Sequence, residues 1–157
     1  MIKQNEKMPT GELSELTADG MVTHNTDELF ANKKVVLFAV PGAFTPTCSE
    51  SHLPGYVVLA DQLQAKGVDQ IICLSVNDAF VMSAWGKASN AEHITMVADG
   101  DASYTKQLGL SLETAAFGGT RSQRYAMVID NGVVTTLLVE KPKEFEASKA
   151  ETVLASL

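Results

Sequence analysis

Apolar residues along the chain come in two patterns. One is the uninterrupted run. Val35-Val36-Leu37-Phe38-Ala39-Val40 and Ile71-Ile72-Cys73-Leu74-Ser75-Val76 carry almost no polar position, which predicts strands buried on both faces of a sheet. Thr95 to Ala98 is a shorter run of the same kind, and Arg124 to Ile129 and Val133 to Val139 flank Asp130-Asn131-Gly132, a strong hairpin turn. The other pattern is helical spacing. It predicts a helix through Val58, Leu59 and Leu63 that stops at Gly67, and one from Asn77-Asp78 through Phe80, Met82 and Trp85 to near Gly86. Short helices are expected over Thr26 to Phe30 and Ala102 to Leu108, and a C-terminal one opened by Ser148-x-x-Glu151 with Val153, Leu154 and Leu157 as its buried face. Residues 1–19 read as a loosely structured lead-in, followed by a short strand at Gly20 to Thr23.

Strand, helix, strand at 35–76 predicts a right-handed crossover between parallel strands. With a further helix and strand, a hairpin and a last helix, the order is that of an α/β thioredoxin-like fold: a mixed central β-sheet with helices on both faces. No repeat or linker interrupts it, so residues 1–157 are expected to form a single domain.

Composition narrows the function. The net charge of −7 argues against nucleic acid or an anionic membrane as partner. No apolar run is long enough to span a bilayer, and Met1 to Leu16 lacks the apolar region of a signal peptide. Two cysteines cannot make a disulfide framework, which suggests a reducing compartment, the cytoplasm. No His/Cys cluster with metal spacing appears, so neither metal nor cofactor is expected.

One stretch has the composition of a site. After the strand at 35–40 come Pro41-Gly42-Ala43-Phe44-Thr45-Pro46-Thr47-Cys48, then Ser49-Glu50-Ser51-His52-Leu53-Pro54. A helix starts here in one of two registers: Thr45 as N-cap with Pro46 in the first helical position, or Thr47 as N-cap with Glu50 completing a capping box. Either leaves Cys48 in the first turn, at the C-terminal edge of a parallel sheet, where sites of α/β proteins gather. Pro54 is expected to kink the helix. A cysteine taken alone is more often a small buried hydrophobe, but Pro-Gly and two threonines are poor core material. A free thiol is only about 3% ionised at neutral pH. A helix start and an arginine that brought its pKa to about 6 would raise the thiolate roughly 30-fold and no further. Larger acceleration needs groups that hold the electrophile and stabilise the charge it develops.

The string Pro41-x-x-x-Thr45-x-x-Cys48 resembles the active-site motif of the peroxiredoxins, and its extension through Leu53-Pro54-Gly55-Tyr56 resembles their atypical type II subfamily. Val76 to Gly86, Thr120 to Tyr125 and Val128 to Val134 continue the likeness, which runs from about Glu28 to the C-terminus. The resemblance implies a thiol peroxidase acting on hydrogen peroxide and organic hydroperoxides. It implies Cys48 as the peroxidatic cysteine that becomes a sulfenic acid, Thr45 as donor to thiolate and peroxide, Pro41 as a shield of the sulfur, and Arg124 as the arginine of the site. Arg121 is a rival. Strand alternation sets positions 122 and 124 on one face and 121 on the other, favouring Arg124. His52, one helical turn after Cys48, reads as a hydrogen-bonded histidine rather than a ligand, and His24 and His93 as surface groups. Phe44, Phe80, Trp85 and Phe117 read as core or interface, with Phe117 also a candidate for the mouth of the substrate pocket.

Cys73 is the other thiol. Its place mid-strand, roughly 13 Å below the sheet edge, puts it out of disulfide reach of Cys48 unless the helix start unwinds. Glu140 to Leu157 holds no cysteine, unlike many relatives with a resolving cysteine there. A one-cysteine cycle is expected, reset by an external thiol: glutathione with glutaredoxin, or thioredoxin. The resemblance also suggests a homodimer packed around the active site through Phe44 and Phe80. The competing function is a thiol–disulfide oxidoreductase or redox sensor on the same fold, against which the missing Cys-x-x-Cys counts.

Overall fold

A computed structural model describes residues 1–157. Its centre is a seven-stranded sheet. The three apolar runs form β3 (Lys34–Val40), β4 (Gln70–Ser75) and β5 (Ile94–Ala98), which pair in parallel. The hairpin β8 (Tyr125–Asp130) and β9 (Val133–Val139) adds antiparallel to β3. Asn131 and Gly132, at φ 47° and 80°, turn it as expected of an Asn-Gly pair.

The opposite edge corrects one expectation. Residues 12–17 are not a loose lead-in but β1 (Glu12–Thr17), hairpinned to β2 (Gly20–Asn25) and bridged to β5, giving the order β2-β1-β5-β4-β3-β8-β9. Only Leu13 of β1 is buried, so no apolar alternation marks the strand in the sequence. A second small sheet, β6 (Ser111–Glu113) with β7 (Thr120–Ser122), was equally unmarked.

Helices cover both faces. Alternate residues of the strands split into two apolar layers. Val36, Phe38, Cys73, Ala126 and Val128 pack with α2 (Leu53–Ala65), α3 (Ala79–Ala88) and α5 (Ala150–Ser156). Leu37, Ile72, Leu74, Met127 and Ile129 pack with the end of α1 (Thr26–Leu29) and with α4 (Ser103–Leu108). In α2 the buried residues are Leu53, Tyr56, Ala60 and Leu63, whereas Val58 faces solvent at 75% exposure. The C-terminal helix starts later than Ser148-x-x-Glu151 suggested: its N-cap is Lys149, with no side-chain cap, and Ser148 points elsewhere.

Candidate active site

Two strand ends meet at the site. β8 runs antiparallel to β3 with Tyr125 opposite Ala39, so Arg124, one residue before β8, lies beside the exit of β3 into Pro41. The 41–47 loop is held from below: Asn77 accepts from the Ala43 N–H at 3.0 Å and from Ser75 Oγ at 2.6 Å. Pro46 takes the first helical position, but neither threonine caps with its side chain. Thr45 Oγ1 lies 2.7 Å from the Gly42 carbonyl and 2.9 Å from Cys48 Sγ. Glu50 is exposed and completes no capping box.

At Pro54 the helix departs from regular geometry. Residues Cys48–His52 form a widened π-type turn, closed by the Leu53 N–H on the Cys48 carbonyl, and Pro54 lies in the first turn of α2. Proline has no N–H for the Glu50 carbonyl and its ring would clash there; one extra residue in the preceding turn removes the conflict. Trp85, buried in α3, fastens this turn by donating from Nε1 to Ser49 Oγ at 3.0 Å.

Cys48 is fully buried and unpaired. Two donors face its sulfur: Thr45 Oγ1 at 2.9 Å and Arg124 Nη2 at 3.0 Å. The threonine hydroxyl has one proton and two acceptors in reach. With a thiol, S–H donates to Oγ1 and the hydroxyl donates to the Gly42 carbonyl; with a thiolate, the hydroxyl turns its proton to sulfur. Arg124 donates in addition from Nη1 to Nδ1 of buried His52 at 2.9 Å. No carboxylate lies within ion-pair distance of this guanidinium, the ion pairs of the molecule being His24–Glu15 and Lys149–Glu146. Burial, and then the charge of Arg124, pushes the His52 pKa down to about 3, so the ring is neutral at physiological pH.

Arg121 is turned away: Nε donates to the Gly118 carbonyl at 2.9 Å and Nη1 to the Val76 carbonyl at 2.8 Å, tying two loops together. Arg124 and Arg121 do not share one strand, since β7 ends at Ser122 and β8 begins at Tyr125. Their separation thus comes from the break between strands rather than from alternation within one.

A cleft of about 480 Å³ opens beside Arg124. Pro41, Thr47, Arg124, Leu112 and Phe145 line it, together with residues 140–144. Phe117 is not among its walls; it stands on the turn Ala115–Phe117 with 76% exposure. No sequence pattern marks Phe145. Its ring lies 5.1 Å from that of His52 and 5.9 Å from the Arg124 guanidinium, covering both. Cys73 is buried in the same apolar layer as Cys48, and burial, followed by the neighbouring Cys48, holds its thiol well above the ordinary range. No cluster of His, Cys, Asp or Glu suited to a metal ion occurs.

The Redoxin family model matches residues 3–154. Peroxiredoxin-2D of Arabidopsis thaliana is 47% identical over 159 residues, covering 99% of this chain and 98% of the relative. The chain belongs to the peroxiredoxins. Within them it is of the type II subfamily, and it is a thiol-dependent peroxidase with a thioredoxin-like fold. Among solved structures, reduced Prx3 of Vibrio vulnificus in complex with hydrogen peroxide superposes on this peroxiredoxin with a TM-score of 0.98 at 71% identity, 99% of each chain being covered. AhpC of Enterococcus faecalis, at 19% identity and TM-score 0.81, shares the fold. No helix of the peroxiredoxin is long and apolar enough to cross a membrane.

Proposed function

We propose that Cys48 is the peroxidatic cysteine, with Thr45 and Arg124 as its partners, and that it works in a one-cysteine cycle on hydrogen peroxide and organic hydroperoxides. The observation that carries this reading is the pair of donors at 2.9 and 3.0 Å from one buried sulfur. The thiolate attacks the terminal oxygen of the hydroperoxide. The S–O bond forms as the O–O bond breaks, sulfur loses two electrons, and the leaving alkoxide or hydroxide takes up a proton to become alcohol or water. Charge moves from sulfur to the leaving oxygen, and an arginine with no acidic partner suits both ends of that transfer. Pro41, in the cleft wall, limits access to the sulfur.

The sulfenic acid then meets an external thiol: Cys48–SOH and RSH give the mixed disulfide and water, and a second thiol releases Cys48. Burial of Cys73, with its thiol far from ionisation, supports the absence of an internal partner. Such a thiol is larger than peroxide, so the turn at 48–52 must open to admit it. Glutathione with glutaredoxin, or thioredoxin, fits this need, in the cytoplasm, where two cysteines stay reduced. Exposed Phe44 and Phe80, at 55% and 64%, support pairing of two copies near the site.

The test is to treat reduced protein with one equivalent of peroxide and trap the product with a sulfenic-acid reagent. One adduct on Cys48, released by glutathione and glutaredoxin or by thioredoxin, is the expected outcome. A quantitative Cys48–Cys73 disulfide with no trapped sulfenate would overturn the one-cysteine cycle.

A further inference from the structure

Behind Arg124 runs a chain of hydrogen bonds whose direction is set at every link. A guanidinium has donors only, so the bond from Arg124 Nη1 makes His52 Nδ1 an acceptor. A neutral imidazole with an acceptor at Nδ1 carries its proton on Nε2, and that atom lies 3.1 Å from the Ser148 carbonyl. The same carbonyl accepts from Tyr56 Oη at 2.8 Å. Tyr56 is itself fixed, stacked on Phe38 with ring centroids 3.9 Å apart. The Ser148 carbonyl therefore sets both the tautomer and the tilt of the ring that holds Arg124.

Ser148 lies on a loop without regular structure, and something must hold it. That is Glu140, nearly buried at the end of β9. Its carboxylate accepts from the N–H groups of Glu146 (2.9 Å), Ala147 (3.1 Å) and Ser148 (2.8 Å), and from Ser148 Oγ at 2.7 Å. Its own N–H donates to the Arg124 carbonyl at 3.0 Å. One residue thus touches the backbone of Arg124 and, through the loop, the far end of the arginine's side chain. Burial opposes its ionisation, but the hydrogen bonds from Ser148, Glu146 and Ala147 outweigh it and keep the carboxyl below the usual range.

We propose that Glu140, whose carboxylate bonds to the 146–148 loop and not to the sulfur, is a positioning residue for peroxide reduction, acting through Ser148 and His52 to aim Arg124 at Cys48. The inference rests on Cys48 being the peroxidatic thiol. An acid placed directly on Arg124 would aim it too, but would draw its charge away from the sulfur. Here the carboxylate is set two residues back, and a neutral ring passes on its order without its charge.

The experiment is a double-mutant cycle on the stopped-flow rate of Cys48 oxidation by hydrogen peroxide, with Glu140→Gln, His52→Phe and the pair. Each single variant should slow oxidation by on the order of 10- to 100-fold, the scale of a misaligned reacting group. The pair should be no slower than His52→Phe, because both act along one path. His52→Gln, whose amide can accept from Arg124 and donate to Ser148, should recover much of the rate. Ser148→Ala, which removes one of the bonds to the carboxylate, should give a smaller loss in the same direction if Glu140→Gln fails to fold. Multiplicative losses in the pair, or an unchanged rate in folded Glu140→Gln, would overturn the proposal. A wild-type Cys48 inert to peroxide would instead defeat the peroxidatic reading beneath it.

Discussion

His52 accepts a hydrogen bond from Arg124 at 2.9 Å through an unprotonated ring nitrogen, although the ring is buried beside a full positive charge. Folding thereby fixes the histidine as neutral. Its pKa of about 3 in the folded protein stands against an ordinary 6.5 in the unfolded chain. Between these values the unfolded chain binds more protons, so stability rises with pH. The contribution is complete above pH 6.5 and is lost as pH falls towards 3. Glu140, also held below its ordinary value, adds a loss of the same sign at lower pH. Urea unfolding at pH 7.5 and 5 should differ by about 2 kcal/mol from His52 alone. His52→Gln should flatten that interval, and a wild-type midpoint that stays level from 7.5 to 5 would contradict the buried neutral ring.

Cys73→Ala should leave the yield of sulfenic acid on Cys48 unchanged and lower stability by about 1 kcal/mol, the scale of one lost core atom. Intact-mass measurement after one equivalent of peroxide, alongside a urea melt, checks both. Loss of the normal oxidised product in this variant would give Cys73 a part in the chemistry.

Gly67 ends α2 at φ +94° with no atom near where a Cβ would stand. Gly67→Ala therefore introduces backbone strain and no clash, and should reduce unfolding free energy by about 1 kcal/mol or more. Peroxide reactivity should be unaltered. A fall in rate without a fall in stability would mean that the far end of α2 reports to the site.

What the sequence made legible follows from how burial writes itself into a chain. β3, β4 and β8 are buried on both faces, and their continuous apolar runs announce them. β1 and β2 lie at the sheet edge with a single buried residue between them, and the sequence marks only part of β2. Cys48, Thr45 and Pro41 share one short segment, so their proximity could be read locally. Two capping patterns match locally, Thr47 with Glu50 as one of two registers and Ser148 with Glu151, but the helix starts at Pro46 with no side-chain cap from Thr47, and Ser148 Oγ donates to Glu140. His52 lies one turn from Cys48 in the sequence. Its partners, Arg124 and Ser148, are 72 and 96 residues away, and no local spacing connects them. Glu140 and Phe145 carried no signal at all, because their roles exist only once the loop after β9 has folded over the site.

In the proposed mechanism Thr45 and Arg124 act on the peroxide as well as on the thiolate. Ionisation accounts for at most about 30-fold of the rate, whereas losing one prearranged donor to a developing oxyanion costs on the order of 100-fold or more. The most direct test is the ratio of two second-order rate constants for Cys48, oxidation by hydrogen peroxide over alkylation by iodoacetamide, in wild type, Thr45→Val and Arg124→Ala. Alkylation needs the thiolate but not the alignment of an O–O bond. Oxidation should fall by on the order of 100-fold or more and alkylation by no more than about 30-fold, so that the ratio collapses. Parallel losses in both reactions, leaving the ratio unchanged, would contradict this mechanism.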